Sequence, residues 1–430
     1  MKLFVFMMDA LCASDIDFMK TLPHFAELFE KGSYVKSIEP VCPALTYCCH
    51  TSIVTGTYVK NHGITHNEIL VRGAKSKVPW HSMKKDIQGK TFLDYATEAG
   101  FTTCSLSWPV SGGADYTYNM PMIVPYGYKG WNPESYLEGT ATQNLMDKYF
   151  WKYGRYIKGK DRSLDLYTMA IAPDLIKDFG QPDIMLVKMC DLDSVRHTDG
   201  VYHENTKEQL RKHDEEFGIL VETIKRYGDY DNTNFMLIGD HGQTDIHDVL
   251  KINKLFAEKG FITLDKNGNM ESFKAYGHST GLACLIEVSD PSNESLLQEV
   301  KDFLESLKDD PDISLAFVYD AKEASGKINL AGPFDFVIES NHNVAFNEDF
   351  YGSAIWGSKE PGNHKTGAAT HGSCIKNRVE STTLVAAGPA FKQGVVVEVA
   401  DMVDEAPTMA AVMGLKMDNI DGRVLKEILK

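Results

Sequence analysis

The feature that most restricts the fold of this chain is a set of short apolar segments, each followed at once by acidic or histidine side chains. In FMLIGDHGQTD, five apolar or small residues lead directly into Asp240 and His241. KLFVFMM leads into Asp9, and DIMLVKMC leads into the segment that carries Asp193 and His197. Continuous apolarity indicates strands that are buried on both faces, as in a parallel sheet covered by helices.

Helical patterns with recognisable ends lie between these strands. LPHFAELFEKG has Pro23 near its start and Gly32 just past its end, which are favoured positions for these residues. HENTKEQLRKHDEEFGILVETIKRYG predicts a long amphipathic helix, and DEAPTMAAVMG and GRVLKEIL predict two helices at the end of the chain. The α/β alternation weakens between about 250 and 365. We therefore predict an α/β core formed by residues 1–250 and 366–430, with a smaller α+β lobe inserted at 251–365.

Composition excludes several classes of partner. The net charge of −16 and the pI near 5.3 argue against nucleic acid or an anionic membrane as a main partner. The N-terminal apolar run is too short for a signal sequence, and no run of about 18 apolar residues predicts a membrane span. The eight cysteines show no C-x-x-C pair, so we expect reduced, mostly buried thiols and a cytoplasmic location.

The acidic and histidine side chains at the strand ends predict a metal centre. Ligands of an open α/β sheet bind outside the carboxyl ends of its strands, and GAATHGS brings His371 to the start of a late strand. An isolated Asp-His pair is more often a cap or a salt bridge, but its recurrence at several strand ends makes coincidence improbable. Carboxylates and neutral imidazoles suit zinc, and two such ions can serve an in-line displacement at phosphorus.

The segment PALTYCCHTSIVTG offers a nucleophile. Thr46 stands at the start of a helical stretch that Gly56 would end, where the helix N-terminus favours a phosphate. A plain N-cap is the alternative role for this threonine. A nearby metal ion would lower the pKa of the hydroxyl and make it a usable nucleophile.

Several segments together resemble one family. VCPALTYCCHTSIVTGTYVKNHGI is similar to the nucleophile segment of the nucleotide pyrophosphatase/phosphodiesterase family, within the alkaline phosphatase superfamily. DLDSVRH, LIGDHGQ and THGS resemble its metal-binding segments, and SWPV resembles a Trp-Pro stretch. The segments occur in the expected order and reach both ends of the chain.

This resemblance implies a fold and a set of roles. The implied fold is a three-layer α/β/α architecture with a mostly parallel central sheet, like that of alkaline phosphatase. Thr46 would form a covalent phosphothreonine, and Asn67 would donate a hydrogen bond to a phosphoryl oxygen. Two metal ions, expected to be zinc, would be held by two sets of residues, one comprising Asp193, His197 and His371 and the other Asp9, Thr46, Asp240 and His241.

Several further residues bear on the substrate. Tyr47 follows the nucleophile and Trp108 lies in SWPV, so we expect both to contact the leaving group. Trp108, Tyr116, Tyr118 and Tyr126 could together line a pocket, although aromatic clusters more often form core. Lys188 stands where nucleotide-cleaving members have a second aromatic residue. Arg196 lies between two predicted metal ligands and could face a phosphate or serve a structural role.

The expected function is metal-dependent hydrolysis of a phosphodiester or pyrophosphate bond in a small, nucleotide-like substrate. A phosphonoacetate-type phosphonate hydrolase and a phosphomonoesterase of the same superfamily are the alternatives, and a non-catalytic metal-binding protein is a remote one. A sulfatase would need Cys or Ser in C-x-P-x-R, and CPALTYC does not match that motif. The sequence leaves the leaving group, the metal actually loaded and the oligomeric state open.

Overall fold

The computed structural model describes residues 1–74, 79–122, 132–158, 162–341, 343–357, 367–376 and 381–430, so Tyr126 lies outside the described residues. The strands are β1 (Lys2–Met8), β2 (Ser33–Glu39), β3 (Thr103–Leu106), β4 (Tyr118–Met120), β5 (Ile184–Met189), β6 (Thr233–Gly239), β7 (Thr244–Asp245), β8 (Asp248–Lys251), β9 (Ile262–Leu264), β10 (Met270–Phe273), β11 (Ala275–Ser279), β12 (Ala283–Val288), β13 (Leu315–Asp320), β14 (Phe336–Ser340), β15 (Val344–Asn347), β16 (Ile355–Gly357), β17 (Ala369–Thr370), β18 (Thr382–Ala387) and β19 (Val396–Asp401).

The α-helices are α1 (Ile16–Met19), α2 (Pro23–Lys31), α3 (Thr46–Thr55), α4 (Val59–His62), α5 (Phe92–Glu98), α6 (Pro133–Glu138), α7 (Gln143–Leu145), α8 (Trp151–Tyr153), α9 (Leu164–Phe179), α10 (Asp191–Asp199), α11 (Glu204–Tyr227), α12 (Ile252–Lys259), α13 (Glu294–Ser306), α14 (Ala321–Lys327) and α15 (Glu405–Val412). Shorter 3-10 or π segments lie at Ala13–Asp15, Lys84–Asp86, Met146–Phe150, Gly154–Ile157, Tyr230–Asn232 and Met402–Asp404. Among the helices of the described ranges, none is both long and apolar enough to cross a bilayer.

An eight-stranded, mostly parallel sheet forms the centre of the molecule. Its strand order is β19-β2-β18-β6-β1-β5-β3-β4, and β1 pairs in parallel with both β5 and β6. β18 is antiparallel to its two neighbours, β6 and β2. Every residue of β5 and β6 is buried, which agrees with their continuous apolarity.

Helices cover both faces of this sheet. Alternate residues of β1 belong to different apolar clusters, Val5 to one and Phe6 to the other. The cluster of Val5 includes residues of α3, α5 and α15, whereas that of Phe6 includes residues of α2, α9 and α11. The predicted three-layer α/β/α architecture is therefore confirmed.

The helix ends follow the sequence signals except at the end of the chain. α2 begins at Pro23 and has Gly32 as its C-cap. The predicted helix in GRVLKEIL is wrong, because its backbone groups bond to the preceding helical segment. The N–H of Arg423 donates to Asp404 Oδ1 (2.8 Å), and that of Leu425 donates to Thr408 Oγ1 (2.9 Å). These tertiary hydrogen bonds override the local helical pattern.

The region assigned to the inserted lobe contains its own sheets and apolar core. Its main sheet has the antiparallel order β11-β12-β14-β13, and β8 lies between β15 and β16 in a three-stranded sheet. β8 begins at Asp248, slightly before the boundary at 251 that the sequence suggests. Leu285 and Val337 of the lobe belong to the same apolar cluster as residues of α3, so this sheet adjoins the core on the α3 side.

Two cysteines differ from expectation. Cys42 and Cys374 form a disulfide although they are 332 residues apart, so the prediction of reduced thiols is wrong for this pair. Spacing along the chain did not reveal the pair because the fold brings the segment before α3 beside the segment after His371. The other six cysteines lie in the described ranges, are buried and form no disulfide.

Candidate active site

The predicted site residues converge at one edge of the central sheet. β1, β5 and β6 are parallel neighbours, so Asp9, the start of α10 and the Asp240–His241 pair meet at their carboxyl ends. β18 runs in the opposite direction, and the segment before it therefore delivers His371 to the same edge. α10 carries the remaining two predicted ligands, one turn apart on the same helix face.

His241 Nε2 is surrounded by oxygen atoms from three residues. It lies 3.2 Å from Asp240 Oδ2, 3.5 Å from Asp9 Oδ1 and 3.2 Å from Thr46 Oγ1. Two ligand atoms of a tetrahedral zinc ion, each about 2.0–2.1 Å from the metal, are about 3.3 Å apart. The three separations from His241 Nε2 therefore fit the ligand set of one such ion.

A second set adjoins the first. Asp193 Oδ1 lies 3.3 Å from His197 Nε2 and 3.7 Å from His371 Nε2. The ring of His371 also stacks on that of His241, with centroids 3.9 Å apart. Two neighbouring groups of candidate ligands therefore lie at this edge of the sheet, as the sequence predicts.

The three imidazoles are oriented in the same way. In each ring Nδ1 faces a backbone carbonyl: Ala369 O for His197 (2.8 Å), Ala44 O for His371 (2.8 Å) and Gly242 O for His241 (3.2 Å). Donation from Nδ1 leaves Nε2 of each neutral ring with a lone pair directed at the carboxylates. Metal-binding histidines are typically held in this manner.

Each carboxylate is held by one of its oxygens. Asp9 Oδ2 accepts a hydrogen bond from Lys188 Nζ (2.6 Å), and Asp240 Oδ1 accepts from the N–H groups of Ala10 and His241 (both 2.9 Å). The other oxygens, Asp9 Oδ1 and Asp240 Oδ2, are buried and have no hydrogen-bond partner. Buried carboxylate oxygens without a donor are costly unless a cation lies against them. The residues present thus fit the metal ions that the family resemblance implies.

The electrostatics of the metal-free site favour cation binding. Burial and, to a smaller extent, neighbouring Asp240 raise the pKa of Asp9 to about 7, although Lys188 opposes this shift. Burial lowers the pKa of His241 to about 4 and that of His371 to about 3, so both rings are neutral at pH 7. Burial also disfavours the charged form of His197, but Asp193 outweighs it and raises the pKa of His197 to about 9.

Thr46 is the first residue of α3, as predicted. The N-cap is Leu45, which makes no side-chain capping bond, and Gly56 ends the helix with a φ of +67°. The Thr46 hydroxyl faces His241 instead of capping its own helix, so the plain N-cap role is not observed. Asn67 Oδ1 accepts a hydrogen bond from the N–H of Tyr47 (3.1 Å), which places this amide beside the first turn of α3.

Three further side chains support the site, and their roles were not predicted from the sequence. Gln243 Nε2 donates to Asp193 Oδ1 (2.6 Å), and Lys188 holds Asp9 as described above. His50, one turn after Thr46, lies with Nδ1 2.7 Å from Thr46 O and 3.3 Å from Asp240 Oδ2. Burial lowers the pKa of His50 to about 3, so it acts as a neutral support.

The two predicted substrate-contacting aromatics are packed in the interior. Tyr47 is 1% exposed and packs with Ile64, Val110 and the edge of Trp80. Trp108 is 2% exposed, and its ring packs edge-to-face against His50. Both rings therefore have a packing role in this structure, and their contact with the leaving group stays a prediction.

Arg196 has a structural role. Its guanidinium is fully buried and donates to Ala10 O and to the carboxylate of Asp15, with the closest separation to that carboxylate 2.6 Å. These bonds tie α10 to the loop after β1. The arginine is therefore directed at protein groups and is not a phosphate clamp.

A third acidic and histidine group lies behind α10. Asp165 uses both oxygens to accept the N–H groups of Cys190 (2.6 Å) and Asp191 (3.0 Å), at the N-terminus of that helix. His213 Nδ1 pairs with Glu216 Oε2 (2.8 Å). Because hydrogen bonds already occupy these atoms, the group supports α10 and does not form a further ligand set.

Comparisons with known proteins agree with this geometry. The family model for type I phosphodiesterase / nucleotide pyrophosphatase matches residues 3–373. Ectonucleotide pyrophosphatase/phosphodiesterase family member 7 of Rattus norvegicus is 23% identical over 425 residues, covering 95% of this chain and 83% of the relative. Venom phosphodiesterase of Naja atra is 24% identical over 241 residues, covering 56% of this chain and 26% of the relative.

Solved structures show the same fold. Murine ectonucleotide pyrophosphatase/phosphodiesterase 5 superposes with a TM-score of 0.68 at 16% identity, covering 100% of both chains. An inactive threonine-to-alanine variant of that protein, in complex with AMP, superposes with a TM-score of 0.66. From the family match over most of its length, this chain belongs to the type I phosphodiesterase / nucleotide pyrophosphatase family and is a hydrolase of that class.

Proposed function

We propose that this enzyme cleaves a phosphodiester or pyrophosphate bond in a small nucleotide-like substrate, through a covalent phosphothreonine on Thr46. The observation that carries the proposal is the 3.2 Å contact between Thr46 Oγ1 and His241 Nε2, inside a cluster of carboxylate and imidazole ligands. The inactive threonine-to-alanine variant of the murine relative, with its bound AMP, supports both the nucleophile and the substrate class.

We assign the ligands of the two divalent metal ions, expected to be zinc, as the resemblance implies. One set is Asp193, His197 and His371, and the other is Asp9, Asp240, His241 and the hydroxyl of Thr46. When bound, such ions lower the pKa of a hydroxyl and stabilise negative charge on the attacking and leaving oxygens.

Thr46 would carry the reaction through two displacements. In the first, its oxygen forms a bond to phosphorus, the hydroxyl proton passes to solvent, and the bond between phosphorus and the leaving-group oxygen breaks, releasing that oxygen as the alcohol or phosphate product. In the second, water attacks the phosphothreonine and restores the hydroxyl. Asn67 lies beside the nucleophile and would donate its amide N–H to a non-bridging phosphoryl oxygen. Two inversions at phosphorus give net retention of configuration.

The charges of the site favour a diester over a monoester. A monoester dianion carries a second negative charge, which needs a further charged donor for stabilisation. Arg196 is turned toward Asp15, and the ammonium of Lys188 is occupied by Asp9, so neither offers that donor. We therefore propose a diester or pyrophosphate substrate, whose phosphoryl group at the site of attack carries less charge.

A panel of substrates tests this proposal. Matched aryl esters would be compared as a phosphodiester, a phosphomonoester and a sulfate, with phosphonoacetate as the fourth substrate. We expect the highest kcat/KM for the phosphodiester. Thr46→Ala protein, purified in the same way, serves as the blank for contaminating phosphatases. A monoester rate that exceeds the diester rate by about tenfold, roughly 1.4 kcal/mol in transition-state binding, would replace this proposal with a phosphatase.

A further inference from the structure

Lys188 is a buried cation at the centre of the site. It lies in β5, where its side chain is 0% exposed. Its Nζ is 2.6 Å from Asp9 Oδ2, 3.1 Å from Cys190 Sγ and 3.8 Å from Met122 Sδ. A lysine ammonium has three N–H donors, and here each has a protein acceptor within reach. No donor is left for a substrate.

We infer that Lys188 is a positioning residue that makes Asp9 offer a single oxygen to the metal ion at His241, an inference that rests on the proposed function. The ion pair holds Oδ2, and Oδ1 is the atom that lies 3.5 Å from His241 Nε2 without a hydrogen-bond partner. Asp9 can therefore approach a metal ion through Oδ1 while Oδ2 stays with Lys188.

Asp240 also has only one oxygen free for a metal ion, because backbone hydrogen bonds hold the other. Two backbone N–H groups, those of Ala10 and His241, hold its Oδ1, and Oδ2 faces the ligand set. Each aspartate then supplies one oxygen to the metal ion, and one imidazole nitrogen and the hydroxyl of Thr46 complete the ligand set. If Asp9 bound through both oxygens, it would compete for the coordination position that Thr46 needs. Lys188 thus keeps that position for the nucleophile.

The burial of Lys188 agrees with this role. An apolar residue would suit a strand whose residues are all buried, because an ammonium in the interior is costly unless it is paired. The partner that offsets this cost is Asp9, a proposed metal ligand. Outer partners that orient metal ligands commonly change affinity or activity when they are replaced.

Cobalt-substituted protein provides a test that does not depend on turnover. Visible absorption of Co²⁺ is strong in four-coordinate sites and weak in sites of higher coordination number. Lys188→Met removes the donor and the charge at similar length, so we expect a weaker visible band at saturating cobalt. At saturating zinc we expect turnover of an aryl phosphodiester to fall by about 10–100-fold. Lys188→Arg, which keeps a charged donor, should recover part of both signals.

The same two strands supply a matched control. Lys2 Nζ pairs with Asp183 Oδ1 (3.1 Å), joining the start of β1 to the residue before β5, at the sheet edge opposite the site. Lys2→Met removes a Lys–Asp pair between these strands without touching the proposed ligands. We expect its cobalt spectrum and turnover to match those of the wild type.

The inference is overturned if Lys188→Met has the wild-type cobalt spectrum and turnover within twofold of wild type. If Lys188→Met does not fold, Lys188→Gln carries the same test, since its shorter neutral amide cannot reproduce the ion pair; a wild-type spectrum and rate would again overturn the inference. Wild-type protein that is active but binds no cobalt or zinc would contradict the proposed function itself. An active, metal-loaded wild type with an unaffected Lys188→Met variant contradicts only the role of Lys188.

Discussion

Thr46 Oγ1 lies 3.2 Å from His241 Nε2, and this contact joins the first residue of α3 to the residue pair that follows β6. Because Nδ1 of the same ring faces Gly242 O, Nε2 presents a lone pair. The unpartnered oxygens Asp9 Oδ1 and Asp240 Oδ2 also face this nitrogen. The Thr46 hydroxyl can donate to that lone pair, but the two carboxylate oxygens have no donor and are costly in the interior unless a cation lies against them. The contact is therefore best understood as one edge of a metal site.

Replacement of a proposed ligand should lower the metal content. We expect the wild type to approach two divalent ions per chain by elemental analysis, and Asp240→Asn to hold fewer. Exhaustive chelation should abolish turnover. Asp214→Asn is the matched control, since Asp214 is also buried and accepts two backbone N–H groups, those of His24 and Phe25, away from the site. Full activity after chelation would refute metal dependence.

Loss of the Thr46 hydroxyl should separate metal binding from chemistry. Thr46→Ala should retain metal, because the carboxylate and imidazole ligands remain, and lose several powers of ten in turnover. Thr51→Ala tests helix integrity, since Thr51 Oγ1 bonds to Tyr47 O in the same helix (2.7 Å). It should keep most of its activity. A wild-type rate in Thr46→Ala would exclude the proposed nucleophile.

Asn67 should act on the phosphoryl group and not on the metal ions. Asn67→Ala removes an amide beside the first turn of α3, and we expect diester and monoester rates to fall together by about 10–100-fold. The zinc content should stay at the wild-type level. Loss of zinc in this variant would indicate a structural role for the amide.

Metal affinity should increase with pH. In the metal-free protein the pKa of Asp9 is raised to about 7 and that of His197 to about 9, and both groups must lose a proton to bind metal. We expect the apparent zinc affinity to increase between about pH 6 and 9. Near pH 7, filling both sites of one chain should release about one to two protons. Calorimetry in buffers of different ionisation enthalpy counts these protons. An affinity that is flat across this range would contradict the assigned ligands.

The Cys42–Cys374 disulfide should stabilise the site. Cys42 precedes Thr46 and Cys374 follows His371, and the same segments are joined by His371 Nδ1 to Ala44 O (2.8 Å). We expect Cys42→Ala/Cys374→Ala to lose about 2–4 kcal/mol of unfolding free energy and to bind zinc more weakly. Disulfides persist mainly in oxidising compartments, and the cytoplasmic location stays a prediction. Unchanged stability in the double variant would mean that the cysteines are unpaired in solution.

The part of the site that the sequence could predict is the part built from local patterns. Asp9 and the Asp240–His241 pair follow apolar strands directly, and the direction of a parallel strand fixes which edge they reach. Thr46 opens a helix whose end Gly56 marks. These features depend on residues near one another in the chain.

The remainder depends on contacts between distant segments. In the sequence Lys188 is notable only for standing where nucleotide-cleaving members have an aromatic residue, and its link to Asp9 follows from the register of β1 and β5. The burial of Tyr47 follows from neighbours contributed by later loops. Cys42 and Cys374 are brought together by the fold from positions 332 residues apart, and no local spacing identifies such pairs.

The stereochemical course at phosphorus tests the central claim most directly. A diester of a chiral thiophosphate would be hydrolysed in ¹⁸O-labelled water, and the configuration of the product determined by ³¹P spectroscopy. A phosphothreonine on Thr46 requires two displacements, so we predict retention of configuration. Inversion would show that water attacks the substrate directly, and the covalent mechanism would be wrong.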